Sequence, residues 1–472
     1  MSKIFSYTAK LSFLLITLTQ FTLAGQVKHS IDKILNRYDP SLNIGIMVES
    51  LTDNRIIYQK NADRLFVPAS TLKIFPAVAA LVFFGADYYF PTKVLTTQAT
   101  LKPPVLQDDI YFYFSGDPSL TQQNIADLVA TVAQFGVKVI KGNIYIDNSV
   151  FDQEFFGPGW MWDERNFCYA APISAINMDK NCFPVKISTT QPKQPVVLDL
   201  GDNKKHLTIT SEITVAPTSN EECLLNLYFV GNNTYRLTGC IMPDTTKNLA
   251  IAVRDVRLYF KSILREQLMV HGIQFVGEIK FKSAPTSQPL YTLALHKSEP
   301  LAKLLKTMLK DSDNLIADAI YKKLGHSFFQ KSATWQNSAR AITHILTPKT
   351  GVPFKKMKMV DGSGLSRYNL VSAKQLVTIL QYTYFAKNIS SVFVNALAIA
   401  GVDGTLKDRM PNLKNRVLAK TGKMSSVATL AGYVKTKTQG TVAFAIMLNS
   451  FLNDSQKYNK LQDEVCTVLA NM

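Results

Sequence analysis

Pro68-Ala69-Ser70-Thr71-Leu72-Lys73 places a hydroxyl and an amine three residues apart at the head of an uncharged run, Ile74 to Ala86, rich in Ala, Val and Phe. Such a run reads as a buried helix. Residues three apart on a helix share a face, so the spacing brings Lys73 one turn from Ser70. A serine hydroxyl needs a base to become a nucleophile, and a neutral lysine can serve. Burial beside a second cation favours that neutral amine. The same Ser-x-x-Lys pattern stands at Ser30-Ile31-Asp32-Lys33, where it reads as helix surface, so the spacing alone decides nothing.

Two later signals raise Ser70 above that control: Ser312-Asp313-Asn314 and Lys420-Thr421-Gly422. In this order the three motifs form the signature shared by class A β-lactamases and penicillin-binding proteins. Lys-Thr-Gly occurs twice. The copy at Lys349 is followed by Pro353 and reads as a loop, whereas the copy at Lys420 precedes Val427 to Val434 and Thr441 to Leu448, two apolar runs split by a polar turn. That is a β-hairpin pattern, and it makes Lys420 the functional copy.

The first residues carry Lys3 and Lys10, an uncharged stretch from Leu11 to Leu23, and small residues up to Ala24, which reads as a cleaved secretory signal peptide over 1–24. No later run reaches the ~18 apolar residues of a membrane helix. The expected location is therefore periplasmic, without a transmembrane anchor. The formal charge of +17 points to electrostatic association with an anionic wall or membrane surface, and nucleic acid is excluded as a partner outside the cytoplasm. Of five cysteines, four fall into close pairs, and an oxidising compartment favours disulfides Cys168–Cys182 and Cys223–Cys240. Cys466 is left over on the apolar face of a C-terminal helix and reads as a buried thiol. No Cys/His spacing resembles a metal site, and no cofactor is expected.

Ile44 to Tyr58 reads as a hairpin leading to the serine helix. From about Pro91 to Pro285 short strand-like runs alternate with two helical ones, an insertion that carries both cysteine pairs. From Leu301 the pattern turns helical again, and the hairpin after Lys420 and a helix from Ser455 close the chain. This order describes an α+β fold in which an outer domain, 25–90 with 286–472, is interrupted by a mainly β insertion, 91–285.

Taken together, the chain resembles the class C low-molecular-mass penicillin-binding proteins, the D-alanyl-D-alanine carboxypeptidase/endopeptidase family of serine peptidases. The resemblance extends to Ser115-Gly116-Asp117-Pro118-Ser119-Leu120, Pro158-Gly159-Trp160, Asp179-Lys180-Asn181-Cys182 and Asp361-Gly362-Ser363-Gly364-Leu365-Ser366-Arg367, and to the long insertion between Ser70 and Ser312. It implies a transpeptidase-like domain, an antiparallel sheet flanked by helices, with two smaller domains nested in the insertion. It also implies that Ser70 is acylated by the penultimate D-alanine of a peptidoglycan stem peptide and that Lys73 takes its proton. Ser312 would relay a proton to the leaving amine, and Asn314 would hold the substrate amide. Lys420 and Thr421 would bind the terminal carboxylate, and the backbone N–H groups of Ser70 and of Lys423, after Gly422, would form the oxyanion hole. Lys423 departs from the family's usual Ser or Thr, which removes a hydroxyl contact to the carboxylate. By the same resemblance Asp179 would meet the free amine of the diaminopimelate side chain, the plainer reading being an ion pair with Lys180. Arg367 divides between recognition of a ligand carboxylate and a structural ion pair, whereas Asp117 and Asp361 read as turn-capping residues.

β-Lactam antibiotics would act as covalent inhibitors. Two alternatives stand beside this reading: a β-lactamase of the same fold and a catalytically inactive wall-binding homologue. Against the first, no Glu lies between Leu315 and Ala419 to activate a deacylating water in the class A manner. Against the second, every chemical position is filled.

Overall fold

Two strands from opposite ends of the chain, Asn43–Ser50 and Thr441–Asn449, pair antiparallel inside one sheet, with Ile46 opposite Ile446. The computed structural model describes residues 25–189, 196–201, 205–216, 223–452 and 454–472. The expected signal peptide, 1–24, lies outside the described residues. The chain packs as two compact units. One comprises the described residues up to Ala86 with Leu305–Ser312 and Thr343–Met472; the other comprises Asp87–Leu304 with Asp313–Ile342.

In the first unit six antiparallel strands run in the order Ala398–Ile399, Val417–Met424, Val427–Lys435, Thr441–Asn449, Asn43–Ser50 and Ile56–Lys60. Side chains alternate across a strand, so Ile44, Ile46, Leu430, Phe444 and Ile446 share one face. There they join Ile31 and Leu35 of the helix over 25–38 and Leu461, Val465 and Leu469 of Ser455–Ala470 in one apolar core. Each such side chain, fully buried, stabilises by about 1.5–3 kcal/mol. The same alternation places Val417 and Ala419 in that core and turns Lys420 and Gly422 to the opposite face. On that face Thr429, paired with Gly422, donates its hydroxyl to Pro68 O at 2.7 Å, and Tyr433 donates to Leu380 O of the helix Ala373–Phe385 at 2.7 Å. The earlier Lys-Thr-Gly copy ends a helix, Trp335–Thr350, and belongs to no strand.

The second unit is built on a mixed five-stranded sheet, in the order Ile279–Phe281, Ile144–Asp147, Ile110–Phe114, Pro91–Thr96 and Tyr291–Lys297. Phe112 and Phe114, two apart and so on one face, meet Phe260 of the helix Val256–Val270 edge-on, with ring centroids 6.2 and 4.9 Å away. A smaller β module follows, with Val185, Ile187, Tyr235, Leu237, Ile241 and Ile251 as its core. Disulfides join Cys168 to Cys182 and Cys223 to Cys240.

The division differs from the expected one at residues 87–90 and 286–304, where the strand Tyr291–Lys297 completes the sheet of the second unit, and at 313–342, which pack with the insertion. The cause at 313–342 is a set of buried polar anchors. Lys322 lies fully buried and donates to Asp152 at 2.6 Å and to Glu154 O at 2.9 Å, while Trp335 Nε1 donates to the same carbonyl at 3.0 Å. A buried ammonium is tolerated only with such partners, so this helix follows its partners into the second unit.

Cys466 is a buried free thiol, and burial pushes its pKa up. A thiol titration of the unfolded, unreduced protein is therefore expected to count one reactive cysteine, and the native protein none. Closing the two disulfide loops is worth roughly 3 kcal/mol each in the chain-entropy model, so reductant should lower the melting temperature. Five titratable thiols in unreduced protein would contradict the pairing.

Candidate active site

Ser70 stands in a short 3-10 turn, Ala69–Lys73, that runs directly into the helix Ile74–Phe84. Ala69 takes a left-handed φ of 46°, rare for a side chain with a Cβ, so the backbone turns sharply just ahead of the hydroxyl. Two glycines permit the close packing around this turn. A Cβ on Gly422 would come within 2.8 Å of Pro68 O and 3.0 Å of Ser70 N, and one on Gly364, at φ 81°, would collide with the carbonyl oxygen of Ala69. The Lys420 strand and the Asp361 loop are thus pressed against the serine from two directions.

Lys73 is fully buried, with Nζ 2.9 Å from Ser70 Oγ and donating to Ser363 O at 2.7 Å. The Ser363 carbonyl is itself held by Asp361, a buried carboxylate that accepts from Gly364 N at 2.9 Å, Ser366 N at 2.7 Å and Asn369 Nδ2 at 2.8 Å. The capping reading of Asp361 thus agrees with its contacts, and so does that of Asp117, which accepts from Ser119 N and Oγ and faces His296 Nε2 at 3.2 Å. Lys420 is also fully buried. Its Nζ donates to Ser312 Oγ at 3.0 Å and to Thr421 O at 2.8 Å. Burial, and next the charge of Lys73, push the Lys420 ammonium well below its usual range, with Asp311 opposing. Two ammonium groups in one dry site disfavour each other.

Ser312 has a left-handed φ of 64°, and the chain ahead of it is fixed by Lys310, which donates to Asp403 at 2.6 Å and to Leu397 O at 2.8 Å. Asp403 in turn accepts from Ile399 N at the sheet edge, at 2.9 Å. Sequence reading missed this anchor; its one signal was a lysine closing an otherwise apolar helical face. Thr421 presents its hydroxyl to Thr405 Oγ1 at 2.7 Å, Lys423 is exposed, and Arg367 donates to Ser425 O at 3.1 Å.

Asn314 belongs to the second unit, two residues beyond Ser312. Its Nδ2 donates to Tyr169 O at 2.8 Å. Asp179 lies in that unit too. Its carboxylate accepts from Tyr259 Oη at 2.9 Å and from Gln122 N at 3.3 Å, and the ion pair of Lys180 is made with Asp313 at 2.7 Å, not with Asp179. Burial and the Asp179 charge push the Tyr259 phenol up. Tyr169, Asp313 and Ser363 were not singled out from sequence, since two of the three act through main-chain oxygens that no motif records.

A serine with a buried lysine at hydrogen-bond distance, backed by a second Ser–Lys pair on a sheet built from both chain ends, defines a serine hydrolase of the penicillin-binding type. The profile of the D-Ala-D-Ala carboxypeptidase 3 (S13) family matches residues 27–472, and the chain belongs to that family. It is 31% identical over 459 residues, 96% of this chain and 94% of the relative, to the D-alanyl-D-alanine carboxypeptidase DacB of Haemophilus influenzae. The crystal structure of penicillin binding protein 4 (dacB) from Haemophilus influenzae aligns with a TM-score of 0.86 at 31% identity, covering 94% of this chain and 99% of that one. A structure of the same protein complexed with a novel β-lactam aligns with a TM-score of 0.81 at 29% identity and the same coverage.

The Asp179 carboxylate, with one oxygen accepting from Tyr259 Oη and the other from Gln122 N, keeps lone pairs for a ligand ammonium, and Asp179→Asn is expected to lower kcat/KM by about tenfold for substrates with a free diaminopimelate amine while reacting normally with a simple penicillin. Equal losses on both substrates would mean that Asp179 supports the fold instead.

Proposed function

We propose that this chain is an exported serine DD-carboxypeptidase that removes the terminal D-alanine from peptidoglycan stem peptides and, as DD-endopeptidase, cleaves D-Ala cross-links between them. The observation that carries the chemistry is the buried Lys73 amine 2.9 Å from Ser70 Oγ. Lys73 takes the hydroxyl proton as Ser70 Oγ attacks the carbonyl carbon of the penultimate D-alanine. The oxyanion is met by the backbone N–H groups of Ser70 and Lys423. Ser312, polarised by Lys420, passes a proton to the departing amine. Water then cleaves the acyl-serine and restores both groups.

Asn314 holds the substrate amide, while Lys420 and Thr421 receive the terminal carboxylate. Lys423 brings a cation where the family usually has a hydroxyl, and Arg367 stands on the loop that also supports Lys73. Penicillin, whose strained amide resembles the D-Ala-D-Ala bond, acylates the same serine; the β-lactam complex of the Haemophilus influenzae relative supports this. Two disulfides support residence in an oxidising compartment such as the periplasm, and among the described residues no helix is long and apolar enough to cross a membrane. The net charge supports attraction to an anionic wall or membrane surface.

Labelled penicillin is expected to leave a stable adduct on the peptide carrying Ser70, found by mass spectrometry; an adduct at Ser30, or none on folded protein, refutes the assignment. Monomeric and cross-linked peptidoglycan fragments, followed by product mass, separate carboxypeptidase from endopeptidase activity.

Acylation needs Lys73 neutral, so its rate should rise with pH. The charges of Lys73 and Lys420 disfavour each other in the same dry site, and the Lys420 ammonium is held well below its usual range. A rate that falls as the pH is raised would contradict it. Lys73→Arg keeps the charge without the base and should lose acylation while remaining folded.

A further inference from the structure

We propose that the insertion positions the Ser-Asp-Asn motif through a disulfide-stapled clamp, in which the Lys180 ammonium holds Asp313 and the Tyr169 carbonyl holds Asn314. The inference rests on the reading that Ser312 and Asn314 act in acyl transfer, and it names a residue, Lys180, whose work is to place them.

The clamp has two arms and one pin. Lys180 Nζ donates to Asp313 Oδ2 at 2.7 Å, and Tyr169 O accepts from Asn314 Nδ2 at 2.8 Å. Tyr169 follows Cys168, Lys180 stands two residues before Cys182, and these two cysteines are bonded to each other. One covalent link therefore fixes the separation of the two groups that grip adjacent residues of the motif.

Each grip has a directional consequence. Asp313 divides its carboxylate: Oδ1 accepts from Ile316 N at 2.9 Å and so caps the helix Asn314–Phe329, while Oδ2 takes the Lys180 ammonium. The cap sets where the helix begins, and Lys180 sets how the capping residue is turned. At Asn314 the bond from Nδ2 to Tyr169 decides which way the amide faces, and with it where Oδ1 points.

The backbone around the clamp is in conformations that do not persist without anchors. Asp179, Lys180 and Asn181 have consecutive left-handed φ values of 50°, 58° and 48°, and Ser312, next to Asp313, has 64°. Non-glycine residues are held there only when their surroundings over-determine them, and such strain gathers at functional sites. The surroundings here are explicit. Asp179 N donates to Leu120 O at 2.8 Å, Asn181 Nδ2 to Pro172 O at 2.9 Å, and Val253 N to Asn181 O at 2.8 Å. The turn is rigid at both ends and presents Lys180 at its middle.

Stability does not explain the pair. The Lys180 side chain is 52% exposed, and half-exposed ion pairs contribute little to the global fold. A contact that adds little stability yet reaches into a catalytic motif is suited to positioning.

The test compares the full chain with Lys180→Met, Lys180→Arg and Ser70→Ala, reading the second-order rate of acylation by labelled penicillin together with Tm. Lys180→Met is expected to acylate roughly tenfold more slowly, within the hundredfold that a misplaced catalytic group can cost, with Tm unchanged. Lys180→Arg should restore the rate to within about twofold, since it keeps the charge. A Lys180→Met rate equal to the unaltered chain, or a loss that Lys180→Arg does not recover, overturns the clamp alone. Absence of an adduct on the unaltered chain, or an adduct that survives Ser70→Ala, overturns the functional reading and the clamp with it.

Discussion

Two fully buried lysines, Lys73 and Lys420, define what the rest of the structure must supply. Desolvating one ammonium is expensive, and desolvating two near each other adds repulsion that only hydrogen bonds or loss of a proton can relieve. The hydrogen bonds are provided: Ser70 and Ser363 O for Lys73, Ser312 and Thr421 O for Lys420. The residual penalty falls on the charged form of Lys420, whose ammonium burial and the charge of Lys73 push well below its usual range. A site made this way is unstable as an isolated constellation and must be imposed by its frame.

That frame consists of rigid elements on several sides of the serine turn. The strand Val417–Met424 carries Lys420 on the face away from the terminal helices, with Gly422 allowing it to lie against Ser70 N. The loop after Asp361 is folded around one buried carboxylate, so Ser363 O stays in place for Lys73. Lys310 and Asp403 tie the approach to Ser312 to the edge of the same sheet. None of these supports touches Ser70 Oγ, yet each removes a freedom the reacting groups would otherwise have.

The candidate site was legible from sequence because serine-peptidase chemistry calls for particular side chains at fixed spacings: Ser70 with Lys73, then Ser312, then Lys420 followed by glycine. The hairpin at 43–60 and the strands after Lys420 were legible because short apolar runs of strand length are split by polar turn residues. The placement of 313–342 was not. Its apolar pattern says only that the helix is buried, and the choice of partner is made by Lys322, Asp152 and Glu154 O, far apart in sequence. Asp179 illustrates a second limit. A motif fixes that an acid is present but not which neighbour takes its charge, and Tyr259 sits 80 residues away. The left-handed Ala69 and Ser312 left no trace either, since nothing in an Ala or a Ser announces a positive φ.

The pairing of Ile46 with Ile446 has a consequence for how the molecule is made. A strand synthesised early waits for one that appears 400 residues later, and contacts of such long range are slow to form and leave edges uncovered meanwhile. The smaller β module has the opposite character, with its strands contiguous in sequence and a disulfide spanning only 17 positions. Loop-closure entropy therefore favours the inner module forming ahead of the outer sheet. The turn that carries Ser70 brings Lys73 with it, whereas the strand Val417–Met424, which lays Lys420 and Gly422 against that turn, arrives only near the end of the chain, so a chain cut short before it holds half of the candidate site.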